Sequence, residues 1–410
     1  MIDKDNKTFC IFPWIHQHVT TSGDVLPCCT ANYKTPLGNI NNNTIEEIWN
    51  NENYRQLRYN MLNGIRSPHC ETCYKHEGNS DPDTINSYRK NANKEFKEYL
   101  NFVKETKEDG YLESLNLRYF DVRWSNICNF KCRSCNDGFS SSIAQEISNT
   151  LEKDNPLYQV YRKASHNNEN LLDQFKPYLK DMKILYFAGG EPLITDEHYK
   201  ILDYLIDNNV HDIILRYNSN CSNLNYKKKS ILDYWKNFKK IELMASIDSW
   251  GTRAEYIRNG TNWEQIVNNL KKIKEECPHV SITINSVVGL FNCLTVTDFL
   301  EELENQGLIN IWHTSVFFYK QLYPTWQDFS IIPLEIRNQA IKKIDNYITN
   351  KFSCSTQSII YTNLCILKGQ LEQSVTEVDY NMVREEIQRL DLLRNENFVK
   401  TFPELSYIFS

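Results

Sequence analysis

Apolar residues along this chain fall into short runs set apart by longer amphipathic stretches. From Leu117 onward a rhythm holds. Leu117–Trp124, Ile184–Phe187, Ile213–Tyr217, Ile241–Ile247, Val280–Val288 and Ile311–Phe318 are short runs rich in β-branched and aromatic residues, the mark of strands. Between them, Ile143–Leu151, Tyr199–Leu205, Trp263–Ile273 and Val296–Leu303 repeat apolar positions at helical spacing. Strands alternating with helices predict a parallel sheet with right-handed crossovers. Six such units predict an α/β fold, a partial (β/α)6 TIM-like barrel over residues 113–325. Such barrels place their chemistry at the C-terminal ends of the strands. Beyond it, Leu334–Ile348, Tyr361–Val375 and Asn381–Asn395 read as helices, giving a helical extension over 326–410.

The segment before the barrel reads differently. Residues 1–78 are rich in turns and cysteine, a small α+β module with signals at Thr21-Ser22-Gly23-Asp24, Pro27, Thr35-Pro36 and Gly38-Asn39. Thr44 is placed to cap Ile45–Trp49, with Glu47 at the capping-box position. A second helix is expected over Asn53–Leu62, stopping at Asn63-Gly64. Residues 79–112 are highly charged. With Phe96, Tyr99, Leu100 and Val103 at helical spacing they predict a connecting helix.

Composition narrows the function classes. With 410 residues, 24% charged and a net charge of −6, the chain resembles an ordinary globular protein, and nucleic acid is not the expected partner. Lys227–Lys229 is read as a solvated helix face. No long apolar run predicts a membrane span. The N-terminus has no apolar segment of signal type, so the thirteen cysteines are expected to be reduced and the chain cytoplasmic. Phosphate-loop, nucleophile-elbow and H-E-x-x-H motifs are absent.

The chemistry lies in the cysteines. Cys128-Asn-Phe-Lys-Cys132-Arg-Ser-Cys135 is a C-x-x-x-C-x-x-C run. Three thiolates this close can bind three irons of a [4Fe–4S] cluster and leave the fourth without a protein ligand. This spacing resembles the radical SAM (S-adenosylmethionine) superfamily, in which SAM occupies the open iron. The resemblance implies an electron donor such as flavodoxin or ferredoxin, reductive cleavage of SAM, and hydrogen abstraction by a 5′-deoxyadenosyl radical. It extends to Gly189, Gly190, Glu191 and Pro192, similar to the family's loop at the SAM amino group. Asn218, Ser219 and Asn220 stand where that family contacts ribose, and Ser246 and Arg258 where it contacts the SAM carboxylate. Phe130 stands at its adenine-side aromatic position.

The N-terminal cysteines resemble the Twitch/SPASM auxiliary-cluster module of the same superfamily, here preceding the barrel. The implied ligand set for an auxiliary [4Fe–4S] cluster is Cys10, Cys28, Cys70 and Cys73, with Cys29 as alternate for Cys28 and His16, His18 and His69 as minor possibilities. A structural zinc site uses the same ligand types and is the alternative.

The implied activity is hydrogen abstraction from an unidentified small-molecule or peptide substrate, with the auxiliary cluster able to accept an electron. Alternatives are an epimerase or a C–C bond-forming peptide modifier, and, in another class, a non-catalytic iron–sulfur or zinc scaffold. Cys293 and Cys221 are candidate hydrogen-atom donors, and His313 and Tyr319 candidate substrate contacts.

Overall fold

The computed structural model describes residues 6–78, 87–150, 158–353, 356–373 and 379–409. The chain divides into two compact units. The first holds residues 1–127, 159–217 and 237–240, and the second holds 128–158, 218–236 and 241–410.

In the first unit the strand His16–Val19 pairs antiparallel with Asp24–Leu26, which pairs with Gly38–Asn39. Gly23, at φ +84°, makes the turn. On its other edge His16–Val19 runs parallel to Tyr119–Val122, with His16 opposite Tyr119. Parallel pairing continues from Tyr119–Val122 to Ile184–Phe187, and from there to residues 214–217. The register puts His18, Asp121, Tyr186 and Arg216 in one row, and therefore on one face. The opposite face is apolar apart from Gln17. Phe120 packs against Phe175 at 4.7 Å, and Phe187 against Tyr217 at 5.1 Å and His198 at 4.6 Å.

The predicted capping box is present. Glu47 N donates to Thr44 Oγ1 at 3.1 Å, and Thr44 N donates to the Glu47 carboxylate at 2.9 Å. The next helix, Glu52–Leu62, starts one residue earlier than expected because Asn51 caps it. The connecting helix is not continuous. Residues 79–86 lie outside the described residues, Tyr88–Glu95 is α-helical, and Lys97–Glu105 is a 3₁₀ helix. Residues 106–112 form no helix, as the turn at Gly110 requires.

In the second unit Lys240–Ser246, from Ile241 on, runs parallel to Val280–Val288, which runs parallel to Ser315–Lys320. The helices Trp263–Glu276 and Val296–Asn305 are the crossovers. Leu334–Phe352, Ile359–Leu371 and Tyr380–Arg394 form the expected C-terminal helices. The expected helix ends at Leu151 and Val375 lie outside the described residues. Lys227–Lys229 is not a helix face. Asn225–Tyr226 pairs antiparallel with Lys229–Ser230, and Lys227 takes φ +54° in the turn between them. Both units are thus parallel-strand α/β structures, the predicted class. No described helix is long and apolar enough to cross a membrane.

Thr44→Ala removes the acceptor for Glu47 N and is expected to cost about 1 kcal/mol, read as a lower midpoint in urea unfolding.

Candidate functional site

The second unit carries the cysteine loop. Only Lys131–Cys132 is regular there, pairing antiparallel with Arg258–Asn259. Gly260 closes the pair at φ +109°. A Cβ on it would stand 2.9 Å from both the Asn129 carbonyl and the Phe130 ring, so the loop lies directly on its backbone. Ser140 Oγ donates to the Phe130 carbonyl at 2.6 Å, and Ser142 Oγ to the Cys128 carbonyl at 2.7 Å. Cys128, Cys132 and Cys135 are all partly accessible, and Cys132 and Cys135 line a cavity of about 240 Å³. Burial pushes Cys132 up and Cys135 to about 12, although Arg258 works in the opposite direction on both.

Phe130, Asn220, Ser246 and Arg258 line a single pocket together with Asp248 and Trp263. Asn220 is fixed there by its amide, which donates to Asn129 Oδ1 at 3.0 Å and accepts from Ser222 N at 2.9 Å. Arg258 is held by Asp248, with Nε donating to Oδ2 at 2.7 Å and Nη2 to Oδ1 at 3.1 Å. Its remaining nitrogen, Nη1, faces Cys132 Sγ at 3.8 Å. Asn218 and Ser219 do not line that pocket. Ser219 is buried and accepts from Cys221 N at 2.9 Å, as a strand-end turn requires.

In the first unit, Gly189 takes φ +118° and Gly190 lies flat on the backbone of Asn126-Ile127. A Cβ on Gly190 would stand 2.0 Å from the Ile127 carbonyl. Glu191 N donates to that carbonyl at 2.7 Å, and the Glu191 side chain accepts from Leu193 N at 3.1 Å. Gly190, Glu191 and Pro192 line a small pocket with Trp124, Thr195 and His198.

Cys10, Cys28, Cys70 and Cys73 line one cavity of the first unit, with Phe12, Thr30, His69, Tyr88 and Arg89. Burial is the main force raising all four thiols, Cys70 to about 12. The Cys10 thiol is raised further by Cys70 and Cys73. Thiols this desolvated ionise only with positive charge beside them, and metal binding displaces their protons. The lining therefore has the donor chemistry an iron–sulfur cluster takes. Cys29 is not among the lining residues. Its thiol is pushed to about 11 by burial and by Asp121, against Arg123 and a bond from Tyr88. His16 stacks on Tyr119 at 4.2 Å and His18 pairs with Asp121, so neither lines the cavity, whereas His69 does.

The radical SAM superfamily matches residues 122–293, and the SPASM family, an iron–sulfur cluster-binding domain, matches residues 10–74. The segment that matches the radical SAM superfamily is thus preceded by one that matches the SPASM domain. The chain's parallel α/β structure is consistent with the partial barrel of that superfamily. Similar solved structures include native anSMEcpe with bound AdoMet and Cp18Cys peptide, at 15% identity and TM-score 0.38 over 56% of this chain and 58% of that one. TYW1 with a lysine-pyruvate adduct bound matches at 13% identity and TM-score 0.32 over 54% of this chain and 70% of that one. The chain spans 58% to 60% of the length of the anSMEcpe chains it matches. No curated protein matches it in sequence.

Near the start of the radical SAM domain the structure reveals a group that periodicity does not announce. Asp121, fully buried, accepts from His18 Nδ1 at 2.9 Å and from Arg123 Nη2 at 3.0 Å, with Arg123 Nε 2.9 Å from its other oxygen. Burial alone would raise this carboxyl, but Arg123 and His18 outweigh it and bring it down to about 2. The half-exposed Tyr33 places its hydroxyl 3.4 Å from His18 Nε2, and Arg123 lies against Gly189. The only advance signal is an acidic and a basic residue inside a strand-like run.

The two thiols expected at the barrel mouth are not presented there. Cys221 and Cys293 are both 0% exposed. Cys221 takes φ +56° and turns its sulfur to the Ser219 carbonyl at 3.7 Å. Cys293 begins a short 3₁₀ turn, and burial pushes its thiol up. Tyr319 is half-exposed on its strand, while His313 precedes the strand.

Gly190→Ala is expected to push the Gly189–Pro192 loop off the Asn126-Ile127 backbone, read as a lower midpoint in urea unfolding. Asp121 stabilises the fold above its unfolded pKa of about 3.9. That contribution is lost as pH falls toward its folded value of about 2. Arg123→Gln strands the buried carboxylate and is expected to cost about 3–5 kcal/mol in denaturant unfolding at neutral pH.

Proposed function

We propose that this chain is a radical SAM enzyme with one auxiliary cluster. The observation that carries the reading is the convergence of Phe130, Asn220, Ser246 and Arg258 on one pocket, with Arg258 reaching Cys132. Cys128, Cys132 and Cys135 hold a [4Fe–4S] cluster and leave one iron open. Ser246 and the free edge of Arg258 receive the SAM carboxylate, Phe130 flanks the adenine, and Asn220 meets the ribose. When bound, the cluster and SAM supply a 5′-deoxyadenosyl radical that takes a hydrogen atom from a small-molecule or peptide substrate. A donor of flavodoxin or ferredoxin type provides the electron.

Cys10, Cys28, Cys70 and Cys73 hold the auxiliary cluster and close it to substrate. Cys28, not Cys29, is the ligand, since only Cys28 lines the cavity.

Protein purified without oxygen is expected to contain about eight iron and eight sulfide per chain and no zinc. Under a strong reductant it should form 5′-deoxyadenosine from SAM, and Cys132→Ala should form none. About four iron with one zinc would assign the N-terminal cavity to zinc. A wild-type protein with a full iron complement and no 5′-deoxyadenosine would leave only a scaffold role.

A further inference from the structure

Arg258 is more tightly placed than a carboxylate-binding residue needs to be. Its backbone pairs with Cys132, and Arg133 N donates to the Ile257 carbonyl at 2.8 Å. Thr261 Oγ1 donates to the Arg258 carbonyl at 2.7 Å. The guanidinium is aimed from the other end by Asp248, which spends both oxygens on Nε and Nη2. Asp248 is itself fixed. Val287 N donates to its Oδ1 at 2.8 Å, and Asn292 Nδ2 donates to its backbone carbonyl at 2.8 Å. With Nε and Nη2 engaged by Asp248, Nη1 lies 3.8 Å from Cys132 Sγ and keeps a second N–H for another acceptor.

We propose that Arg258 is a positioning residue for the reduction potential of the cluster on Cys128, Cys132 and Cys135, acting through an N–H···S bond to Cys132 that Asp248 aims. This rests on the cluster assignment above. Reduction adds negative charge to a cluster and its thiolates. A donor pointed at a ligating sulfur stabilises the reduced form and raises the potential. Asp248 largely cancels the net charge of Arg258, so the effect comes from the directed bond rather than from bulk positive field. Arginine suits this task because its planar fork binds one partner with one edge while presenting another N–H at a fixed angle. A lysine ammonium cannot do both.

The test is an EPR-monitored redox titration of iron-loaded protein without SAM, comparing wild type, Arg258→Gln and Arg258→Lys. The auxiliary cluster in the same sample is the internal reference. The expected result is unchanged iron and sulfide content and a midpoint shifted downward in Arg258→Gln. Arg258→Lys should fall between, and the auxiliary midpoint should not move. An unchanged midpoint in variants with full iron content overturns the proposal. If SAM affinity alone falls, Arg258 serves only the carboxylate. If Arg258→Gln loses its cluster, Arg258→Lys decides: a lowered midpoint supports the proposal and a wild-type midpoint overturns it. Absence of a second cluster signal in the wild type refutes the auxiliary assignment instead. Absence of any cluster refutes the functional reading, which is a separate failure.

Discussion

Arginine holds the cysteine loop in place. The loop has two residues of regular pairing, far too few to fix three sulfurs by backbone alone. Three guanidiniums make up the difference. Arg258 ties the loop to Asp248. Arg133, with its guanidinium 3.8 Å over the Tyr256 ring, reaches Asp391 at 3.2 Å and also pairs with Glu396. Arg394 holds Glu146 at 2.7 Å and donates to the Lys131 carbonyl at 3.0 Å. The helix Tyr380–Arg394 is thus part of the cysteine-loop architecture, although it lies far from the loop in sequence. Apolar packing would stabilise such a helix as well but leave its rotation loosely set. Paired N–H···O bonds specify direction.

The first unit applies the same logic inside its sheet. Parallel strands covered on both sides are ordinarily apolar throughout. Here one face packs Phe120, Phe187 and Tyr217 under helices, and the other carries His18, Asp121, Tyr186 and Arg216. Burying Asp121 in that row is tolerable only because Arg123 and His18 meet its carboxylate, while Arg216 pairs with Glu95. Arg123 and His18 are as necessary to the sheet as the phenylalanines behind it.

Much of this was legible in the residues. The six strands from residue 117 onward, their crossovers, the Thr44 capping box and the C-terminal helices follow from periodicity and capping chemistry. The cysteine spacings marked both candidate metal regions. Three features were hidden for physical reasons. His16-Gln-His-Val has no apolar pattern, because its burial depends on partners that follow about a hundred residues later. That Cys28 lines the cavity and Cys29 does not depends on side-chain placement, and two adjacent cysteines look alike in sequence. The burial of Cys221 and Cys293 comes from local turns, one at a left-handed residue, which a strand-end position does not reveal. Lys227 misled for the same reason, since three lysines in a row say nothing of a tight hairpin.

The strand His16–Val19 also sets an order of assembly. Its parallel neighbour Tyr119–Val122 lies 103 positions downstream, so the N-terminal segment leaves the ribosome well before the edge it must join exists. Closing so long a loop costs more entropy than any local pairing around it, and such contacts form late. Until they form, the strand is held by its hairpin and by upstream groups such as Tyr54, whose hydroxyl donates to the His16 carbonyl at 3.2 Å. All residues lining the cavity of four thiols lie between Cys10 and Arg89, so every wall of that cavity is already synthesised before the strand that completes the sheet edge emerges.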